Sequence, residues 1–215
     1  MKSVFKMALL LVAFAVSAVA QSELFDKVAS LKIGLDGYTL GQILDSKQQE
    51  KARKNIIKGN VEGIYKFVDG NKLIVVDEKT HKVIVIRKDF KELTQESLRG
   101  VVSEVFFKFD EPTALTHSKM FYWVFDESGK KYTEEDWTAY KKFMSSEDTG
   151  GAHGQKNNKP LIEAVKAPAQ KVEFKPLVSV KLSSSKLMDD KSDYKDGTAY
   201  IMISSEKLLK ENYNL

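Results

Sequence analysis

The segment "GIYKFVDGNKLIVVDEKTHKVIVIRKDF", residues 63–90, decides the fold class of this chain. Between turn residues it contains three runs rich in β-branched and aromatic side chains, which are Ile64–Val68, Lys72–Val76 and Val83–Ile86. Asp69 and Gly70 separate the first two runs, and an Asp-Gly pair between apolar runs is a strong hairpin signal. The segment therefore predicts a three-stranded antiparallel meander.

Helical patterns precede this meander. Leu24–Val28 predicts a short first helix, and Gln48–Lys58 predicts an exposed helix that ends at Gly59, since glycine commonly follows a helix C-terminus. Between them, Thr39 is a plausible cap for an amphipathic helix, because three apolar residues follow at i, i+3, i+4 spacing: Leu40, Ile43 and Leu44.

The second half of the chain repeats the plan. Thr94 precedes an apolar pattern at helical spacing, and the alternation in "LVSVKLSSS", residues 177–185, predicts a half-buried strand. A further strand is predicted near the C-terminus, with the charged run "SEKLLKENY" as a terminal helical turn. The matched strands of the two halves are Ile64–Val68 with Phe121–Phe125, Lys72–Val76 with Val178–Leu182, and Val83–Ile86 with Tyr200–Ile203.

This repetition predicts an α+β fold made of two tandem units. Each unit is a helical hairpin plus a small antiparallel sheet, at residues 21–92 and 93–215. The second unit contains an insertion over about residues 131–175, which begins with a helix capped by Thr133 and followed by a glycine-rich loop. A chance similarity between two unrelated α+β stretches is the alternative.

The first twenty residues, "MKSVFKMALLLVAFAVSAVA", have the pattern of a secretory signal peptide. Two lysines precede the apolar run Met7–Val16, and the small residues Ala18 and Ala20 mark a cleavage site. The mature chain would begin at Gln21 and be periplasmic or extracellular, with no later segment able to span a bilayer. A buried N-terminal helix or a membrane anchor is the alternative.

The amino-acid composition limits the kinds of bond and binding site that the chain can form. The chain has no cysteine, which excludes disulfides, thiol catalysis and thiolate metal sites. Without the signal peptide, 32 basic residues would face 30 acidic ones, and the two signs are interleaved. Nucleic-acid binding therefore has little support.

No catalytic, cofactor or metal residues are predicted. The three histidines, His81, His117 and His153, are too far apart in sequence to give a metal-ligand spacing. No serine lies in a nucleophile-elbow motif, and Ser183 and Lys186 have Ser-x-x-Lys spacing only at an exposed strand end.

Aromatic residues are the best candidates for a functional surface. Alternation along strand 121–125 places Tyr122 on the opposite face from Trp123. Whichever face is not core would offer the aromatic surface that protein interfaces favour. The candidate protein-binding residues are Tyr65, Tyr122, Trp137 and Tyr140. The alternative places all of these aromatic side chains in the core.

Three stretches resemble the β-lactamase-inhibitor-like fold, which includes the SmpA/OmlA group of outer-membrane lipoproteins. They are "IGLDGYTLGQILD" (33–45), "LTQESLRGVVSEVFFKFDEP" (93–112) and "YWVFDESG" (122–129). The chain departs from that group in lacking a lipid-bearing cysteine and an exit proline in its first half. The resemblance implies a secreted scaffold whose outer sheet face binds another protein.

We expect a non-enzymatic protein-binding module of the bacterial envelope, with another envelope or extracellular protein as its partner. Two alternatives stay open at this point. One is a secreted hydrolase with a site assembled from dispersed residues, such as His117 or His153 with a carboxylate. The other is an envelope structural protein that self-associates.

Overall fold

The structure is a computed structural model that describes residues 23–57, 61–116, 119–147, 174–184, 186–187 and 194–213. The predicted signal peptide, the glycine-rich part of the predicted insertion, and the residues His117 and His153 lie outside the described residues.

The helices cover residues 23–30 (α1), Ser46–Lys54 (α2), Gln95–Phe109 (α3), Glu134–Glu147 (α4) and Glu206–Tyr213 (α5). The strands are Gly34–Leu35 (β1), Tyr38–Thr39 (β2), Ile56–Ile57 (β3), Ile64–Asp69 (β4), Lys72–Asp77 (β5), Val83–Leu93 (β6), Ala114–Thr116 (β7), Met120–Phe125 (β8), Val178–Ser184 (β9) and Gly197–Ser204 (β10).

One eight-stranded sheet dominates the fold. Its strand order is β3-β4-β5-β6-β10-β9-β8-β7, with every neighbouring pair antiparallel, and β1 and β2 form a separate hairpin. The predicted α+β class is therefore confirmed. The predicted meander is also confirmed as β4, β5 and β6, and Gly70 has the positive φ of 65° that its tight turn requires.

Local capping explains where the longer helices begin. Thr94 accepts from the Ser97 backbone N–H, and the Ser97 hydroxyl accepts in return from the Thr94 N–H, which starts α3. Thr133 and Asp136 make the same reciprocal pair at the start of α4, at 3.2 and 2.9 Å. Both predicted caps are confirmed.

The predicted helix at Leu40–Leu44 is wrong. Those residues form a turn and an irregular segment whose backbone pairs with the start of β6: the Gly41 N–H donates to the Val83 carbonyl at 2.8 Å. Gly41 has a φ of 78°, and a Cβ there would lie 2.7 Å from the backbone of Ala29. These long-range backbone contacts override the local apolar spacing.

Two predicted element boundaries also differ from those in the structure. Strand β6 continues seven residues beyond Ile86, to Leu93, because its far end pairs with β10. Helix α2 ends at Lys54 rather than at residue 58, and Ile56–Ile57 becomes the edge strand β3 instead.

The main part of the core lies on one side of the sheet. A single row of paired residues crosses it, all fully buried: Phe67, Ile74, Ile86, Ile203, Val180 and Trp123. Side chains from α1, α3 and α5 complete the cluster, among them Phe25, Leu98 and Leu208. The opposite side of the sheet, here called the solvent face, is mostly half-exposed. Helix α5 reaches one end of it, where the Tyr213 hydroxyl donates to the buried Asp77.

Candidate functional site: the solvent face of the sheet

Alternation along β8 separates two neighbouring aromatic residues. Trp123 is fully buried, and its indole N–H donates to the Asp110 carbonyl at 2.8 Å. Tyr122 points to the solvent face and is half-exposed, because successive strand residues point to opposite sides. Cross-strand pairing places Lys181 directly beside Tyr122, and Met202 beside Lys181.

Four side chains on this face form a ladder of aromatic rings and cations across strands β8, β9, β10 and β6. The Arg87 guanidinium lies 4.5 Å from the centre of the Tyr200 ring. On the other side, the Lys181 ammonium lies 5.4 Å from the Tyr200 ring centre and 5.7 Å from that of Tyr122. We call Tyr122, Lys181, Tyr200 and Arg87 the cation–π ladder.

Each such contact stabilises its pair by about 0.5–1 kcal/mol at an exposed site. Asp89 fixes one end of the ladder, because the Arg87 Nε and Nη2 groups donate to its Oδ1 at 2.9 and 2.7 Å. The rings and cations therefore hold one another in place.

The ladder shifts the pKa values of its two central groups in opposite directions. Burial alone would raise the pKa of Tyr200, but hydrogen bonding from Lys181 and Ser183 and the charges of Lys181 and Arg87 outweigh it and lower that pKa. Burial alone would lower the pKa of Lys181, whereas hydrogen bonding to Tyr200 and the electrostatic influence of Tyr122 raise it. Lys181 thus favours the ionised form of Tyr200, and the two tyrosine hydroxyls favour the charged form of Lys181.

A shallow cleft of about 370 Å³ opens beside the ladder. Arg87 and Lys91 supply cations to its wall, and hydroxyls come from Ser183, Thr198 and Tyr200. Asp89 also lines it, with its carboxylate bonded to Arg87. Cations and hydroxyl donors together bind anionic oxygen atoms through charge-assisted hydrogen bonds. A second cleft of about 500 Å³ shares the β6 segment 89–91 as its wall.

The structure does not bring all four predicted surface residues together. Tyr65 lies on the same side of β4 as the buried Phe67, and its hydroxyl is 3.0 Å from Nδ1 of His81. Burial raises the pKa of Tyr65. Five strand spacings separate β4 from β8, about 24 Å, so Tyr65 and Tyr122 do not share a patch.

The other two predicted residues lie in α4. Trp137 is half-exposed, and its ring centre is 5.4 Å from that of Phe174. Tyr140 belongs to α4, but its side chain lies outside the described part of the structure. The helix starts close to β8, because the Tyr132 N–H donates to the Val124 carbonyl at 2.9 Å.

Sequence reasoning missed Arg87, Lys181 and Tyr200. One signal was present: inward-facing Val180 and Leu182 imply that Lys181 faces outward. The pairing of β10 with β6 cannot be read from any local pattern. This pairing brings Arg87 from the first half of the chain beside Tyr200 from the second.

The histidine that the structure describes does not form a catalytic arrangement. His81 is exposed in the β5–β6 turn, where its ring contacts the Tyr65 hydroxyl. Within the described ranges, no cluster of three or more His, Cys, Asp or Glu residues is placed to hold a metal ion. Among the helices that the structure describes, none is long and apolar enough to cross a membrane.

No protein-family model matches this chain, and neither a curated protein nor a solved structure is significantly similar to it.

Proposed function

We propose that this chain is a secreted or periplasmic protein-binding module without catalytic activity, and that it binds another envelope or extracellular protein through the solvent face of its sheet. The observation that carries the proposal is the cation–π ladder, an ordered row of tyrosine, lysine and arginine side chains on a half-exposed face. Tyrosine and arginine are, with tryptophan, the residue types enriched at the energetic centres of interfaces.

The mechanism of binding follows from pre-organisation. Ordering a long side chain on association costs about 0.5–1.5 kcal/mol each. Arg87 is already fixed by Asp89, and Lys181 is already held between two rings. Part of that cost is therefore met in the free protein, and the underlying sheet gives the face a rigid base.

The strand order supports the proposed tandem units. Outward from the central β6–β10 pair, the sheet reads β6-β5-β4-β3 on one side and β10-β9-β8-β7 on the other. The matched strands of the two predicted units, at residues 21–92 and 93–215, thus occupy equivalent places. A β-lactamase-inhibitor-like scaffold would use such a sheet face for binding, and the signal-peptide pattern at residues 1–20 supports export.

Site-specific photo-crosslinking tests the proposal. A benzophenone-bearing phenylalanine would replace Tyr122 in one variant and Tyr200 in another, within the full chain expressed in its own host. The matched control replaces Phe107, which is 96 % exposed on α3, away from the sheet. We expect one protein adduct of constant mass from both sheet positions and none from Phe107.

The outcomes separate the possibilities. Adducts from Phe107 alone would move the binding surface to α3 and contradict the assignment to the sheet face. Adducts whose mass equals twice that of the chain would show self-association instead. The absence of adducts at all three positions in the native compartment would contradict the binding-module proposal.

A further inference from the structure

We infer that the solvent face recognises an acidic segment of its protein partner, in which carboxylate side chains alternate with apolar ones. This inference rests on the proposed function, because it names the chemistry of the partner at the same surface.

The charge distribution of the face is the first argument. By strand register, the side chains of Lys66, Arg87 and Lys181 all point to this side of the sheet. Asp89 also points to this side, and its carboxylate is paired with Arg87. Asp77 belongs to this side as well, but it is buried and accepts a 2.6 Å hydrogen bond from the Tyr213 hydroxyl. At these strand positions, the described part of the solvent face therefore carries more cations than unpaired carboxylates.

The cleft supplies donors that suit carboxylate oxygens. Lys91, Ser183 and Thr198 line the space next to Tyr200, together with Asp89, whose carboxylate is paired with Arg87. A carboxylate entering this space therefore meets one ammonium and several hydroxyl groups, beside a carboxylate whose charge Arg87 balances. Charge-assisted hydrogen bonds from such groups are about twice as strong as neutral ones.

The spacing of the cations identifies a chain rather than a small anion. Lys66 in β4 and Lys181 in β9 are separated by four strand spacings, about 19 Å. A single carboxylate or phosphate does not span that distance, whereas carboxylates on one extended segment do. Met202 pairs with both Arg87 and Lys181 between the outer cations, which favours a segment that also carries apolar side chains over a nucleic acid or a polyphosphate.

Fluorescence anisotropy with defined probes tests this inference. The probe is a short labelled peptide that alternates glutamate and leucine, and the comparison probes replace each glutamate by glutamine or by lysine. Titration with the full chain at low ionic strength is expected to show about tenfold tighter binding of the glutamate probe than of the glutamine probe, with added salt weakening it.

Matched variants locate the effect. The double variant Arg87→Gln/Lys181→Gln is expected to weaken binding of the glutamate probe about tenfold, and Lys181→Arg is expected to retain it. The control Lys54→Gln/Lys210→Gln removes the same charge from side chains that are 70 % and 71 % exposed elsewhere. It should change the affinity by less than about twofold. Unchanged circular dichroism in both double variants excludes unfolding as the cause.

Each result decides one point. Equal binding of the glutamate and glutamine probes, or equal weakening by the control variant, overturns the acidic-segment inference. Either result leaves the protein-binding proposal intact if Tyr122 and Tyr200 still crosslink to a partner. Failure of the crosslinking experiment removes the proposed function itself, whatever the peptides do.

Discussion

The two faces of the eight-stranded sheet are made by the same strands one residue apart. One row of the core face contains Phe67, Ile74, Ile86, Ile203, Val180 and Trp123. The adjacent row of the solvent face contains their immediate sequence neighbours, Val68, Leu73, Arg87, Met202, Lys181 and Tyr122. The first row is apolar throughout, whereas the second intersperses cations and a hydroxyl among apolar groups.

This difference separates burial from the placement of charge. A continuous apolar row gains the full benefit of burial, about 25 cal/mol per Å² of surface removed from water. The solvent row gives up part of that benefit and carries charges at fixed positions. A change on the first row should therefore destabilise the protein strongly, whereas a change on the second should destabilise it little and, under the proposed function, weaken binding.

The largest expected contrast lies within β8, between Trp123→Ala and Tyr122→Ala. Trp123 is fully buried and packs edge-on against Phe106, with ring centres 5.5 Å apart. Its removal leaves a cavity and an unpaired Asp110 carbonyl, so it should lower the free energy of unfolding by about 3–5 kcal/mol. Tyr122→Ala should lower it by about 1 kcal/mol or less. Urea denaturation followed by circular dichroism measures both.

A matched pair on another strand checks the generality of that contrast. Ile203→Ala and Met202→Ala in β10 differ in the same sense, because Ile203 is fully buried and Met202 is half-exposed. If the solvent-face variants were as destabilising as the core-face variants, the solvent face would be a second core covered by other parts of the chain.

A smaller effect concerns Asp69, which ties the β4–β5 turn to the elements that cover the core face. The Tyr38 hydroxyl donates to its Oδ2 at 2.9 Å, and the Lys51 ammonium donates to both oxygens. Burial alone would raise the pKa of Asp69, but these hydrogen bonds and the charge of Lys72 lower it below its ordinary value of 3.8.

The lowered pKa of Asp69 makes the stability of the fold depend on pH in the acid range. A carboxyl group with a lowered pKa in the folded state stabilises the protein fully above its unfolded-state pKa, about 3.9, and this contribution is lost as the pH falls through the folded-state value. Asp69→Asn should therefore lower the urea midpoint at pH 7 and flatten its decline between about pH 5 and pH 2. An identical acid profile for the variant would contradict the assigned role of Asp69.

Local patterns in the sequence were sufficient for the elements that depend on near neighbours. The Asp69–Gly70 turn and the Thr94 cap rest on contacts within a few residues, and the alternation in β9 is visible in seven consecutive residues. Each of these predictions is confirmed. The helix predicted at Leu40–Leu44 failed for the opposite reason. Its backbone partners lie about forty residues away, at the start of β6, and no local spacing reveals them.

The candidate site shows the same limit. Alternation correctly separates Tyr122 from Trp123, so one member of the surface was accessible from the sequence. The pairing of β6 with β10 was not, and without it Arg87 has no connection to Tyr200. The sequence places both Tyr65 and Tyr122 in aromatic strands, but the sheet order separates the two strands and the two side chains lie on opposite faces.

The subtlest expected effect distinguishes the tyrosines of the two faces by their pKa values. Burial, followed by the hydrogen bond to Asp69, raises the pKa of Tyr38 on the core side. Contact with Lys181, Ser183 and Arg87 instead lowers the pKa of Tyr200 below its ordinary value of 10.0. Tyr200 should therefore ionise before Tyr38 in an alkaline titration followed by carbon-13 NMR of the tyrosine Cζ atoms.

The variant Lys181→Gln sharpens this test, because it removes both a hydrogen-bond donor and a positive charge. It should raise the pKa of Tyr200 and leave that of Tyr38 where it was. A lowered phenol pKa adds stability only as the pH rises through the folded-state value, well above neutral. Stability at pH 7 should therefore fall by no more than the lost cation–π contacts, about 1 kcal/mol. If the pKa of Tyr200 were the same in the Lys181→Gln variant, the ladder would not form in solution. Binding through the solvent face would then include the full entropic cost of ordering these side chains.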